Sequence, residues 1–196
     1  MSHQIHTTNA LVLGSRNVGE ANRLITLLCE DLGLVRAVAQ GVRLSKSKLK
    51  SSLYIFAEVE ASLVRGRDIW RLVGAQERYR PNVVLGSPAR GALLARICTF
   101  IGRFVQGEEQ DLQLYAEVRS IVALLERSEV NEDQYPYIES MAVARLLNLL
   151  GYFKENERFF PLLEEPWGSE RAVKVARDHH RELVAVINKT LSETQL

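Results

Sequence analysis

Four cations stand at short intervals in one acid-free stretch: Arg43, Lys46, Lys48 and Lys50, within Gly41-Val42-Arg43-Leu44-Ser45-Lys46-Ser47-Lys48-Leu49-Lys50. Lys supplies a compact point charge and Arg a planar fork, the two side chains that suit phosphate. On a loop, such cations follow a phosphate backbone without reading bases. The same composition also fits a solvated loop on any folded protein, and the residues alone leave both readings open. Arg65 and Arg67 flank Gly66 and make a second small group. Arg16, Arg23, Arg36 and Arg71 extend the patch if they share one side of the fold. Aromatics able to stack on bases are few here: Tyr54, Phe56, Trp70 and Tyr79. Phe56 and Trp70 lie in stretches read as strands, which favours packing for both. The expected chemistry is phosphate contact with weak sequence preference.

No catalytic constellation stands beside this patch. The histidines are His3, His6, His179 and His180, none with the partners of a metal or catalytic site. Cys29 and Cys98 lie in apolar surroundings of different segments, which reads as two reduced core residues. There is no Gly-x-Gly-x-x-Gly and no Gly-Lys-Ser/Thr phosphate loop. The expectation is a protein that is not an enzyme and needs no cofactor and no metal.

Another cluster is aromatic. Phe153, Phe159, Phe160 and Trp167 crowd a short irregular segment with Lys154 and Arg158 beside them. Such a group either closes a helical core or walls a groove for a partner peptide, the cations serving an acidic ligand.

The elements that must hold these residues change character once. From Ile5 to Val18, Leu34 to Ala39, Phe56 to Val64 and Ile69 to Val73 the pattern is that of short strands, with Arg23 to Cys29 open to strand or helix. Arg65-Gly66-Arg67-Asp68 reads as a hairpin turn. Five short strands in about 75 residues are typical of a small barrel, OB-fold or SH3-like. After a linker from Pro81 to Pro88 the apolar period becomes helical. Leu93 to Val105, Leu112 to Leu125 and Ile138 to Leu149 form three stripes, the last closed by Gly151. A fourth runs from Ser169, suited to an N-cap, through Val175, His179, Leu183 and Ile187. The expected architecture is α+β, with a barrel domain over 1–80 and an all-helical bundle over 81–196.

Residues 1–80 hold 12 Lys and Arg against 7 Asp and Glu, and the remainder 13 against 17, while the whole chain carries +1. A basic front and an acidic back suit a front that meets a polyanion. No secretory signal pattern and no membrane-length apolar run is visible, so a cytoplasmic, nucleoid-associated protein is expected.

The front of the chain holds, in order, Ala10-Leu11-Val12-Leu13, Arg16, Gly19-Glu20-Ala21-Asn22-Arg23-Leu24, Thr26-Leu27-Leu28, Gly33-Leu34, Ala37-Val38-Ala39-Gln40-Gly41-Val42-Arg43 and Lys46-Ser47-Lys48-Leu49. This series resembles the RecO family of bacterial recombination mediators. Phe56 and the Gly66 to Leu72 segment follow, and Leu149-Leu150-Gly151-Tyr152 resembles the junction after the family's central helix. The resemblance implies an OB-fold followed by a helical domain. It implies binding and annealing of single- and double-stranded DNA, with a DNA-contact role for Arg43, Lys46 and Lys48, and for Arg16 and Arg23. The partners it implies are a RecR-like protein and the acidic C-terminal tail of single-strand DNA-binding protein, in the loading of a recombinase onto DNA coated by that protein.

Many relatives of that family carry a four-cysteine zinc module after the position of Gly151-Tyr152. Here the chain continues Phe153-Lys154-Glu155-Asn156-Glu157-Arg158, without cysteine. The expectation is a short form that folds without zinc. Two other readings stay open: a protein-interaction adaptor with weak nucleic-acid binding, and an RNA-binding barrel.

Overall fold

A computed structural model describes residues 4–105, 107–153 and 157–194. It divides into two compact units. One holds the chain through Pro81 and the stretch from residue 106 to Tyr115; the other holds Asn82–Val105 and the chain from Ala116 on.

In the first unit, β1 (Ile5–Val18), β2 (Asn22–Cys29), β3 (Gly33–Ala39), β4 (Glu58–Arg65) and β5 (Trp70–Tyr79) close into a barrel in the order β1-β2-β3-β5-β4. This is an OB-fold. β1 is long enough to serve two neighbours: Ile5–Leu11 pair with β4 and Ala10–Val18 with β2. A shift between Val12 and Gly14 lets Leu13 bulge, which bends the strand from one neighbour to the other. The closing pair, β3 with β5, is short and parallel, joining Ala37 to Trp70 and Val38 to Arg71.

The two-residue period assigns the faces. Val12, Ile25, Leu27, Val35, Ala37, Val59, Leu63 and Leu72 point inward and fill the barrel with Trp70. Arg23 to Cys29, open between helix and strand by sequence, is a strand because its inward positions Ile25, Leu27 and Cys29 follow this period. The connection after β3 closes one end, with Val42 and Leu53 in the same core. Phe56 corrects the sequence reading. It is buried, as expected of a packing residue, but it precedes β4 and has a left-handed backbone, φ 69°. Its amide donates to the Val12 carbonyl at 2.7 Å, which fixes the turn into β4. Gly33 has φ +66°, and a Cβ there would run into the backbone of Glu109. Only glycine therefore lets the stretch up to Tyr115 pass so close to the β2–β3 turn.

In the second unit the helices are α1 (Asn82–Gly86), α2 (Pro88–Phe104), α3 (Leu112–Leu125, from Ala116 on), α4 (Tyr135–Leu149), α5 (Phe160–Glu164), α6 (Glu170–Asp178) and α7 (His180–Glu193). Ser87 caps α2 through the Arg90 amide, with Pro88 in the first turn. Gly151 ends α4 at φ +75°, with the Tyr152 amide bonded to the Leu147 carbonyl and that of Gly151 to Asn148, a full Schellman stop. Arg90 is buried and, among the described residues, pairs with no carboxylate. Its guanidinium donates to the carbonyls of Leu125, Arg127 and Val130, satisfying groups that the end of α3 leaves open.

The fourth apolar stripe is not one helix. Ser169 caps α6 as expected, its side chain accepting from the Ala172 amide, but the helix stops at His179, φ −115°. The side chains buried from α6 are Ala172 and Ala176, and those from α7 are Leu183, Ile187 and Thr190; Val175 and His179 are only half-buried. A stripe that shifts face at a break can read as continuous from spacing alone. Among the described residues no helix is long and apolar enough to cross a membrane.

Candidate nucleic-acid interface

The outward positions of the barrel answer a question that spacing left open. Register pairs Arg16 on β1 with Leu24 on β2, Leu24 with Val38 on β3, and Val38 with Arg71 on β5. Paired residues share a face, and Ile25, Ala37 and Trp70 beside them point into the core. Arg16 and Arg71 therefore stand outward on one row, three strands apart, roughly 14 Å at the usual strand spacing. Arg36 pairs with Thr26 on the neighbouring outward row. All three arginines are exposed. Arg23 does not join them: it pairs with Ala39 and Asn17, in the inward phase at the end of the barrel, and is half-buried.

The cationic connection after β3 is tied down at its start. The Gly41 amide donates to Asn22 Oδ1 at 2.9 Å and the Arg43 amide to the Ala21 carbonyl at 3.0 Å. The Arg43 guanidinium donates to the Gly19 carbonyl at 3.0 Å. Arg43 thus staples the connection to the β1–β2 hairpin and leaves the rest of its fork to solvent. Lys46, Lys48 and Lys50 are exposed, and among the described residues none has an acidic side chain in ion-pair range. A 3₁₀ turn, Leu49–Ser51, follows.

The β4–β5 hairpin separates its two arginines. Arg65 pairs with Glu108 and lies over the Trp70 ring, 5.0 Å from its centroid. Arg67, at the tip, is exposed and without a carboxylate among the described residues. Arg65 is therefore neutralised locally and Arg67 is not.

An arrangement at the other end of the connection escaped sequence reasoning. The Arg80 guanidinium covers Tyr54, 3.9 Å from the ring centroid, and donates to Glu77 through Nε at 3.0 Å and Nη2 at 2.6 Å. The Glu77 hydrogen bond is the main cause of an Arg80 pKa above the ordinary guanidinium value. No local pattern joins positions 26 residues apart; only the length of β5 brings them together.

The aromatic cluster of the helical unit is largely interior. Phe153, Phe159 and Trp167 are buried, and Phe153 meets Phe159 edge-on at 6.3 Å. Trp167 Nε1 donates to Glu117 at 2.9 Å, under an Arg145 guanidinium that pairs with the same carboxylate at 2.6 Å. Phe160 is exposed and Arg158 pairs with Glu182. Lys154 lies outside the described residues. The reading of this group as a groove wall thus finds one exposed ring, and its reading as core closure finds three buried ones.

Donor chemistry for a metal is thin. Among the described residues no group of three or more His, Cys, Asp or Glu is placed to hold one. Cys29 and Cys98 are buried in different units. Burial pushes both thiols up to about 12, with Asp31 adding to the effect at Cys29. His180 Nδ1 lies 3.3 Å from Ser140 Oγ, with the ring edge-on to Tyr137.

Residues 1–76 match the family described as the N terminus of recombination protein O. Among curated proteins, the chain is similar to the DNA repair protein RecO of Dehalococcoides mccartyi, 30% identical over 148 residues. That alignment covers 76% of this chain and spans 57% of the relative's length.

Proposed function

Because the chain belongs to the RecO family, we propose that it is a non-enzymatic DNA-binding protein of recombination and repair. It binds single- and double-stranded DNA through the barrel, anneals complementary strands and helps load a recombinase onto protein-coated DNA. The observation that carries this reading is the outward row that holds Arg16 and Arg71, with Arg36 beside it. OB-folds commonly meet oligonucleotides on the β2–β3 face, and here that face is flanked by cations. Cations on rigid strands replace condensed counterions along a phosphate backbone, which supplies affinity without sequence. Lys46, Lys48, Lys50 and Arg67 extend the contact; Arg43 holds the connection while offering its free N–H groups.

The helical unit meets proteins: a RecR-like partner and the acidic tail of single-strand DNA-binding protein. Phe160 is the exposed ring for that contact and Arg158 the adjoining cation, which must exchange Glu182 for the tail's carboxylates. The protein works in the cytoplasm, on the nucleoid.

Pairing of two complementary labelled strands tests the reading. The chain accelerates pairing, and an Arg16→Ala, Arg36→Ala, Arg71→Ala variant does so at least tenfold less well. A chain that leaves pairing at the uncatalysed rate refutes the annealing role. Matched RNA displacing DNA at equal concentration would replace it with the RNA-binding reading.

A further inference from the structure

We infer that Tyr54 is a base-stacking platform, so that this interface grips unpaired strands more tightly than duplex through one ring rather than through charge. The inference rests on the DNA-binding reading above and adds a contact to it that charge alone does not supply.

Tyr54 is 39% exposed between residues that are pinned: Leu53 lies in the barrel core and Phe56 is buried. The Ala57 amide donates to the Tyr54 carbonyl at 3.2 Å, which closes the backbone around it. Arg80 stacks on the ring, and Arg80 is itself held by Glu77 and by the Ser51 carbonyl at 3.3 Å. The ring is therefore oriented before any ligand arrives, which lowers the ordering cost of stacking. Glu77 neutralises Arg80, so this guanidinium serves the ring rather than a phosphate.

Lys50 precedes the ring by four residues and Lys46 by eight, joined through the Leu49–Ser51 turn. A strand whose phosphates follow these lysines brings its bases to the ring. Every base has a π-face, so the contact tolerates any sequence. A duplex keeps its base faces stacked inside and offers none. The other aromatics of the unit fit the role poorly. Phe56, Trp70 and Tyr115 are buried, and Tyr79 on β5 stands opposite Glu58 on β4, where an acid repels phosphate.

Three substrates of equal phosphate count test this at one salt concentration: an unstructured strand, an abasic strand and a duplex. Wild type binds the base-bearing strand about tenfold more tightly than the abasic one, within the range known for one stacked base. Tyr54→Ala removes that difference and leaves abasic and duplex binding within twofold. Tyr54→Phe keeps it. Equal wild-type affinity for base-bearing and abasic strands overturns the inference without any variant, and so does an equal loss on all three substrates in Tyr54→Ala. If wild type binds none of the three, the DNA-binding reading falls and this inference with it.

Discussion

The Arg43 guanidinium donates to the Gly19 carbonyl, so the cationic connection after β3 is anchored to the hairpin that ends the strand carrying Arg16. One side chain thus joins two parts of the candidate interface that lie 27 residues apart in sequence (Arg16 to Arg43).

Arg43→Ala is expected to free the connection without unfolding the barrel. The bond is exposed, so the loss is about 0.5–1 kcal/mol of stability. Amide hydrogen exchange should speed up across residues 44–50 and stay unchanged in β2. Unchanged exchange in the connection would show that the Gly41 and Arg43 amides suffice to hold it.

The two hairpin arginines should behave differently. Arg67→Ala lowers DNA affinity and reduces the salt slope by about one, the mark of one phosphate no longer neutralised by the protein. Arg65→Ala leaves the slope within error, because Glu108 already neutralises it. Equal slope changes would mean that DNA displaces Glu108.

Glu117 serves both Arg145 and Trp167 Nε1, and its side chain and that of Arg145 are each only 12% exposed. Glu117→Ala leaves the Arg145 cation with the Glu165 carbonyl but without its carboxylate, and removes the acceptor of Trp167 Nε1. The expected loss is about 3 kcal/mol in denaturant unfolding of the helical unit. DNA affinity should change less than twofold, since the candidate interface lies on the barrel.

The buried thiols give a pH signature. Both are raised from 9.0 to about 12, so the fold favours their neutral forms. That stability is fully present below pH 9.0 and is lost as pH rises toward about 12. Thiol reagents near neutral pH should label neither cysteine in the folded protein and both after denaturation. Rapid labelling in the native state would contradict the burial of Cys29 and Cys98.

Much of the barrel was legible because strand periodicity is local, most plainly in β4, where inward Val59, Ala61 and Leu63 alternate with Glu60 and Ser62, and because turns carry glycine. Phe56 was misplaced because its left-handed backbone depends on the bond to Val12, 44 residues away in sequence (Val12 to Phe56). The helical stripes were legible until His179, where the buried face shifts between α6 and α7. The cations of the connection could be named from sequence. Their sorting could not, because Arg65 against Glu108 and Arg43 against Gly19 are long-range pairs. The same limit hid the grouping of Arg16, Arg36 and Arg71, which needs strand register, and the pairing of Tyr54 with Arg80.

The central claim is that the barrel's exposed cations hold a phosphate backbone. Affinity for an unstructured labelled DNA strand across a salt series measures it most directly, with wild type beside a Lys46→Ala, Lys48→Ala, Lys50→Ala variant. The account predicts a steep fall of log affinity with log salt. It also predicts a slope smaller by about 2 in the variant, because its three missing lysines no longer displace counterions from a single strand. Wild type that fails to bind at low salt, or a variant with unchanged affinity and slope, would contradict it.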